Sequence, residues 1–434
     1  MKKHNINFRE TAQFIDNRLT SDLNVTFLHQ NAHNRQARRT YDNPIGGLYS
    51  LPRGIDFYQY KNFETFSTLR NMYVQNWWDA NFDKGWMASA DQQNPYWLLN
   101  RNPSQNTLNR VYSNLSFKFK INDWLNIQAR GNIDKLYNDI DVKSYATTSP
   151  ILTANNGGYT LMNAVNTQLY GDLLLSGAKD LSDNIGINAT IGTSITDEKS
   201  NSNTFGTKTG GPGLNIPNVF VLSNIQPNYL SISQNIVHRQ VQSVFATASL
   251  NYKRFVYVDL SARNDWSSTF AFTPNVGKGY LYYAGGVNLI LSEMTHLPSF
   301  ISFGKLRVSY AKVGNDVNAY STFPPNYYVN FDNTQPTSYN GAAPYPGTFL
   351  QPEDNRSFEA GLEFRFFNSK LGIDATYYQN NNYNQYLEVA APNGSGYSTY
   401  FINGGNIRNQ GVEVSIYATP IKSTTVTWNT SLNY

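Results

Sequence analysis

The sequence predicts an all-β protein, a transmembrane antiparallel β-barrel, and three observations point there. Side chains alternate between apolar and polar along many segments, which places one set on each face of a strand. The links between those segments are alternately short and long, as when short turns lie on one rim of a barrel and long loops on the other. The third observation is composition: 434 residues with 25 Phe, 31 Tyr and 7 Trp, 15% charged residues and a mean hydropathy of −0.48. That aromatic content is far above that of a solvated, disordered chain. No run approaches the roughly 18–20 consecutive apolar residues of a membrane-crossing helix, so a helical membrane protein is excluded.

The strands can be taken in order. Leu19, Leu23, Val25 and Phe27 form the return strand of a first hairpin. Leu115, Phe117, Phe119 and Ile121 alternate up to a turn at Asn122-Asp123-Trp124, after which Leu125, Ile127 and Ala129 resume the pattern. Leu169, Leu173 and Leu175 pair with Ile185, Ile187, Ala189 and Ile191. Val244, Ala246, Ala248, Leu250 and Tyr252 interleave with Ser243, Phe245, Thr247, Ser249 and Asn251. A tight turn at Lys253-Arg254 leads to Val256, Val258, Leu260 and Ala262. Leu281, Tyr283, Val287 and Leu289 pair with Leu306, Val308 and Tyr310. Phe358, Ala360, Leu362, Phe364 and Phe366 turn at Asn368-Ser369-Lys370 into Leu371, Ile373, Ala375 and Tyr377. Val412, Val414 and Ile416 pair with Val426, Trp428 and Leu432. The total is roughly fourteen strands of about nine to eleven residues, the length that crosses a bilayer when tilted. Long loops are expected near 29–110, 134–168, 196–241, 264–280, 314–357 and 380–410. The competing soluble architectures are a sandwich, and a propeller, which would show a repeat of about 40–50 residues that this chain lacks.

Other classes fall away on chemistry. With no cysteine there is no disulfide framework, thiolate metal site or catalytic thiol. A net charge of +4, spread without a basic run, argues against nucleic acid as a partner. Met1-Lys2-Lys3 starts like a signal peptide, but His4 to Glu10 supply neither an apolar stretch nor a cleavage site.

Five segments carry a resemblance to a known family. They are Asn43-Pro44-Ile45-Gly46-Gly47-Leu48-Tyr49 with Leu51-Pro52-Arg53-Gly54; Ser261 to Phe270, reading SARNDWSSTF; Lys305 to Asn315, reading KLRVSYAKVGN; Gln351-Pro352-Glu353 with Glu359 and Gly361; and Asn403 to Glu413, reading NGGNIRNQGVE. Together, and in this order, they resemble SusC/RagA-type TonB-dependent outer-membrane transporters, although Trp266 stands where that family usually has Gly. The resemblance implies that residues 1–434 are part of a receptor barrel, roughly 14 of about 22 strands. It also implies that the signal peptide, the small N-terminal sandwich domain and the plug are absent from this chain. The implied function is TonB-dependent uptake of a nutrient, a glycan or oligopeptide, at the cell outer membrane. The implied partners are a SusD-like surface lipoprotein, TonB acting through the plug, and the lipid bilayer.

No catalytic, cofactor or metal site is expected, and the protein is read as a non-enzyme. His29 and His33 have a spacing that suits a helix face but sit where a strand enters a loop, so they read as rim residues. Asp139 with Asp141, and Glu359 with Glu363, have the composition of a glycosidase pair, yet carboxylates on a solvated loop or lumen face are commoner. Gly210-Gly211-Pro212-Gly213 lacks the Gly-Lys-Ser/Thr of a phosphate loop and reads as loop punctuation. Trp124 and Trp428 fit an interfacial girdle. Aromatic residues crowd the long loops, and Trp77, Trp78, Tyr96, Trp97, Tyr327, Tyr328 and Tyr339 are the candidate contacts to a ligand or partner. Two alternatives stand beside transport: a secreted carbohydrate-binding or adhesive β-protein, and a glycoside hydrolase on a β scaffold.

Overall fold

Period-two alternation becomes one long up-and-down sheet. A computed structural model describes residues 1–34, 43–82, 93–322, 342–395 and 397–434. The first hairpin is β1 (Lys2–Phe14) and β2 (Leu19–His33). The segment that follows carries a short helix α1 (Gly46–Tyr49), a small separate hairpin of β3 (Glu64–Ser67) and β4 (Met72–Gln75), and helix α2 (Pro95–Arg101). The sheet resumes with β5 (Ser104–Lys120), β6 (Leu125–Ser144), β7 (Gly158–Ser182), β8 (Ile185–Thr207) and β9 (Leu230–Tyr252). It continues through β10 (Val256–Ser267), β11 (Tyr280–Ile290), a short helix α3 (Leu291–Met294) and β12 (Ile301–Asn315). The last strands are β13 (Ala342–Pro344), β14 (Glu353–Phe366), β15 (Leu371–Ala390), β16 (Thr399–Lys422) and β17 (Thr427–Asn433).

All but β3 and β4 belong to one 15-stranded sheet in which the long strands lie beside their chain neighbours, antiparallel throughout. The three-residue β13 is the exception, pairing parallel with Thr399–Phe401 of β16. Among the described residues the sheet does not close: β1 and β17 lie at its two ends. The fourteen long strands match the expected number, but most run well past the expected nine to eleven residues, β7 reaching 25.

The extra length corrects the loop boundaries. Strand pairing continues through Ser144 and restarts at Gly158, so that loop is 145–157 rather than 134–168. Likewise β8 and β9 stay paired out to Thr207 and Leu230, leaving only 208–229. The loop after β15 shrinks to 391–398. Beyond the bilayer a strand has water on both faces, so its sequence loses the apolar alternation that makes it visible.

Register lines the apolar residues into continuous belts. One row runs Ile187, Leu250, Val258, Val287, Val308, Ala360, Tyr377 and Val412 across eight consecutive sheet strands. These side chains look outward: Val287, Val308, Tyr377 and Val412 are 38–54% exposed. A face of that kind is stable against hydrocarbon, not against water. Trp124 and Trp428 are also exposed and lie near the turn ends of their strands, the level of an aromatic girdle.

No element among the described residues is a helix able to cross a membrane. The buried apolar cluster is small and lies at the loop end, where Phe270, Val317, Leu350 and Phe401 pack with Tyr280, Ala342 and Tyr386.

Candidate functional site

The opposite parity of each strand faces the concave side, and there the residues are charged and paired. Arg110 of β5 bonds Asp134 of β6, and Arg130 of β6 reaches Asp172 of β7 at 2.5 Å. Arg263 of β10 holds Asp265 at 2.7 Å, and the Tyr282 hydroxyl also donates to Asp265. Arg307 of β12 binds Asp374 of β15 at 2.5 Å across the intervening β14. Each guanidinium satisfies a carboxylate on the same strand, the next strand or the next but one. Such charge-assisted pairs are short and directional. The result is a polar wall lined by ion pairs.

Glycines make room for this arrangement. A Cβ at Gly372 would stand 1.8 Å from the ring of Tyr417, and one at Gly361 would stand 2.5 Å from the Arg307 guanidinium. Both glycines sit directly opposite those residues in register. Large side chains thus lie along the wall over a glycine rather than projecting into the space it encloses.

At the loop end the wall is tied by the segments that carry the family resemblance. Asp316 follows directly on Asn315 and accepts from Arg239 at 2.9 Å, from Ser267 at 2.7 Å and from Thr269 at 3.3 Å. Arg239 also donates to Glu198 at 2.9 Å. Asn315 donates to Glu353, which in turn accepts from the Tyr386 N–H at 2.9 Å. Asn403 and Gln351 exchange bonds of 2.7 and 2.9 Å. Four of the five segments, from β10, β12, the start of β14 and β16, therefore meet in one knot around Phe270 and Leu350. Their shared purpose was invisible as separate motifs, because only the register brings them together. Trp266, at the customary Gly position, is an ordinary strand residue paired with Gln242. The positive φ falls instead at Phe272, +65°.

Below this knot lies a cavity of about 910 Å³ on the concave side. It is bounded by Arg110 with Asp134, by Arg239 with Glu198 and Asp316, and by apolar patches from Leu28, Leu108, Leu136 and Val317. Charges of both signs beside aliphatic surface suit a ligand that mixes charged ends with apolar side chains.

The predicted contact residues are distributed differently from expectation. Trp97, on α2, is 1% exposed and donates its indole N–H to Thr148 at 2.8 Å. Trp77 is 2% exposed, edge-on to Tyr60 at 5.0 Å and to Phe57 at 6.3 Å. Tyr96 stacks on Phe57 at 5.6 Å and is half-buried, as is Trp78. Trp77 and Tyr96 both pack on Phe57 within the 43–82 and 93–103 layer, which Gln75 and Asn94 bridge through buried side-chain bonds. As placed, Trp77 and Trp97 offer no free ring face, and their rings exclude water from the layer. The indole N–H groups of Trp77 and Trp78 have no hydrogen-bond partner among the described residues. Burial pushes the Tyr60 phenol above its ordinary value. Tyr327, Tyr328 and Tyr339 lie outside the described residues.

The carboxylate and histidine candidates lie in paired strands: Glu359 stands opposite Ser309, Glu363 accepts from Arg365 at 2.9 Å, and His33 stands opposite Gln105 at the end of β2. Asp139 and Asp141 belong to β6, not to a loop, and accept from Asn163 at 2.7 Å and from the Tyr159 hydroxyl at 3.2 Å. His29 bonds Asn109 at 2.7 Å and stacks beside His4, within a paired strand. Among the described residues no group of three or more His, Cys, Asp or Glu side chains could hold a metal. Gly210, Gly211 and Gly213 all have positive φ, as loop punctuation requires.

Comparison with known proteins bears on this wall and its loops. Residues 52–434 match the family described as TonB dependent receptor-like, β-barrel. The chain is 29% identical over 202 residues to the TonB-dependent receptor P39 of Formosa agariphila, and 25% identical over 296 residues to P26 of the same organism. Those matches cover 45% and 65% of this chain but only 18% and 28% of the relatives, so it spans a minor part of their length. In fold it is similar to the RagAB peptide importer, in its "open-open" and "closed-closed" states, with TM-scores of 0.76 and 0.77. There the identity is 16%, and the match covers 99% of this chain and 45–46% of the other.

Proposed function

We propose, for a chain that belongs to the TonB-dependent receptor-like β-barrel family of the Gram-negative outer membrane, that it forms much of the wall of a nutrient transporter. The observation that carries this reading is the two-faced sheet: an outward apolar belt, and a concave face of satisfied ion pairs around a large cavity. A wall whose charges are already paired lets a solute slide past without binding any one site tightly. In the intact protein a plug contacted by TonB would occupy the barrel, and a SusD-like surface lipoprotein would cap the loops. Residues 1–434 are then one part of the receptor barrel, with the plug and the N-terminal domain contributed by other sequence. Membership in a family of receptors and transporters favours this over a hydrolase, and the outward apolar belt favours it over a secreted adhesin.

Between a glycan and an oligopeptide, the cavity favours the oligopeptide. Among the described residues Trp77 and Trp97 are packed inside their own layer and present no open ring face to a sugar. The cavity instead offers both charge signs with aliphatic contacts. The test is uptake by intact cells of a labelled oligopeptide pool and a labelled glycan pool, with and without the gene and with and without TonB. Loss of peptide accumulation in both deletions supports the proposal. Peptide uptake that persists in either deletion contradicts it, and glycan loss alone reverses the choice of ligand.

A further inference from the structure

The outward face of the sheet changes character at one row. On β14 the outward positions counted from the turn are Phe366, Phe364, Leu362, Ala360 and Phe358, and the next is Arg356. From Phe366 to Arg356 is about 34 Å along the strand, or about 24 Å across a bilayer at a tilt of about 45°. The apolar band of an outer-membrane barrel is about 25 Å tall, so Arg356 is the first charge past the hydrocarbon at the loop end. Its row holds two more cations. Lys312 of β12 lies directly beside it, and beyond Asn381 of β15 comes Arg408 of β16.

These cations outnumber the acids around them. Asp354, one row further out, takes Lys312 at 3.5 Å and Arg356 at 2.7 Å. Arg408 has only the Asn381 side-chain oxygen, at 2.9 Å. Among the described residues, Asp354 is the one acid on the outward face of β12 and β14–β16 in these rows. The Nη1 group of Arg356 and both Nη groups of Arg408 donate to no other described residue. The outward face of β6–β8 differs, since there Lys135, Lys143 and Lys199 are matched by Asp139, Asp141 and Asp197. Mixed signs of that kind suit plain water. Under the basic row, by contrast, lie exposed rings, Tyr310 and Phe358 in the next row and Tyr377 in the one below.

We propose that Lys312, Arg356 and Arg408 bind the phosphate-bearing headgroup of a lipid of the outer leaflet, whose acyl chains lie on Tyr310, Phe358 and Tyr377. The proposal rests on the outer-membrane location and not on the choice of cargo. Lys312 and Arg356 stand on adjacent strands, about 4.8 Å apart, and Arg408 is about 9.6 Å further on, a span that suits a headgroup rather than a single small anion. Free guanidinium N–H groups are the donors that match phosphate oxygens. Cargo is not the occupant, because the row faces away from the concave cavity. Free phosphate or an acidic protein surface would meet the charges but leave the rings, which stand within the hydrocarbon, without a partner.

The test is binding of lipopolysaccharide, intact or stripped of its phosphates, to the full-length receptor purified from outer membranes and delipidated in a non-ionic detergent. The parent is compared with Arg356→Gln/Arg408→Gln. The parent is expected to bind the intact lipid at least about tenfold more tightly than the stripped one, and about tenfold more tightly than the double variant does. Heat-modifiable gel mobility reports folding. If the double variant fails to fold, Arg408→Gln, which gives up one amide contact, carries the test with an expected loss of about threefold. Lys143→Gln, on the balanced face, is expected to keep the parent's affinity. The proposal is overturned by equal affinity in the parent and the folded variant, by equal affinity for the two lipids, or by an equal loss in Lys143→Gln. It is also overturned by displacement of the lipid by millimolar inorganic phosphate, or by a copurifying polypeptide, rather than lipid, that disappears in the variant. Any of these leaves the transporter reading standing, since no cargo contact is altered.

Discussion

Asp316 has the largest burden of any single side chain in the knot, accepting from Arg239, Ser267 and Thr269 while 9% exposed. Replacing it with Ala leaves Arg239 with Glu198 alone and leaves the Ser267 and Thr269 hydroxyls only each other, at a cost of about 2–3 kcal/mol for hydrogen bonds to a charged group. The expected outcome is a lower unfolding temperature in detergent, with the Arg239→Ala/Asp316→Ala double variant less than additive. Additive losses would mean that the two residues act separately. Gly372 supplies a second residue-scale test. Gly372→Ala forces Tyr417 out of its place along the wall and costs about 1–3 kcal/mol as overpacking. Pairing it with Tyr417→Ser restores the unfolding midpoint, whereas an unrelieved loss would show that the glycine serves the backbone instead.

Elements show where sequence reasoning reaches and where it stops. On β10, Val256, Val258, Leu260 and Ala262 were legible because lipid selects apolar side chains at every second position. Leu260→Arg, on the outward face, is expected to cost about 2–4 kcal/mol near the bilayer midplane, while Ser261→Arg on the concave face changes folding yield little. Equal losses in refolding titrations would contradict the assignment of faces. The upper halves of β7, β8 and β9 were not legible, since Thr167, Lys199, Asn201 and Gln234 obey no hydropathy rule once both faces meet water. The knot was half-legible: its segments stood out as motifs, but Asp316 lies just past the end of one of them, and its partnership with Arg239 spans 77 positions. The roles of the aromatic loop candidates were not legible for a related reason. Composition reveals that Trp77 and Trp97 need apolar surroundings, but not whether a ligand or Tyr60, Phe57 and α2 provide them.

For the whole molecule, the account rests on one sheet separating lipid from a polar interior. The absence of cysteine makes this directly measurable, because any introduced thiol is the only one in the chain. Single cysteines placed in turn at positions 256 to 263 of β10, in the protein in native outer membranes, can be challenged with a water-soluble maleimide and a lipid-soluble one. The account predicts a period of two. Positions 257, 259, 261 and 263 react with the water-soluble reagent, and 256, 258, 260 and 262 react only with the lipid-soluble reagent. Uniform reaction of all eight positions with the water-soluble maleimide would contradict it, since β10 would then have water on both faces and no membrane to divide.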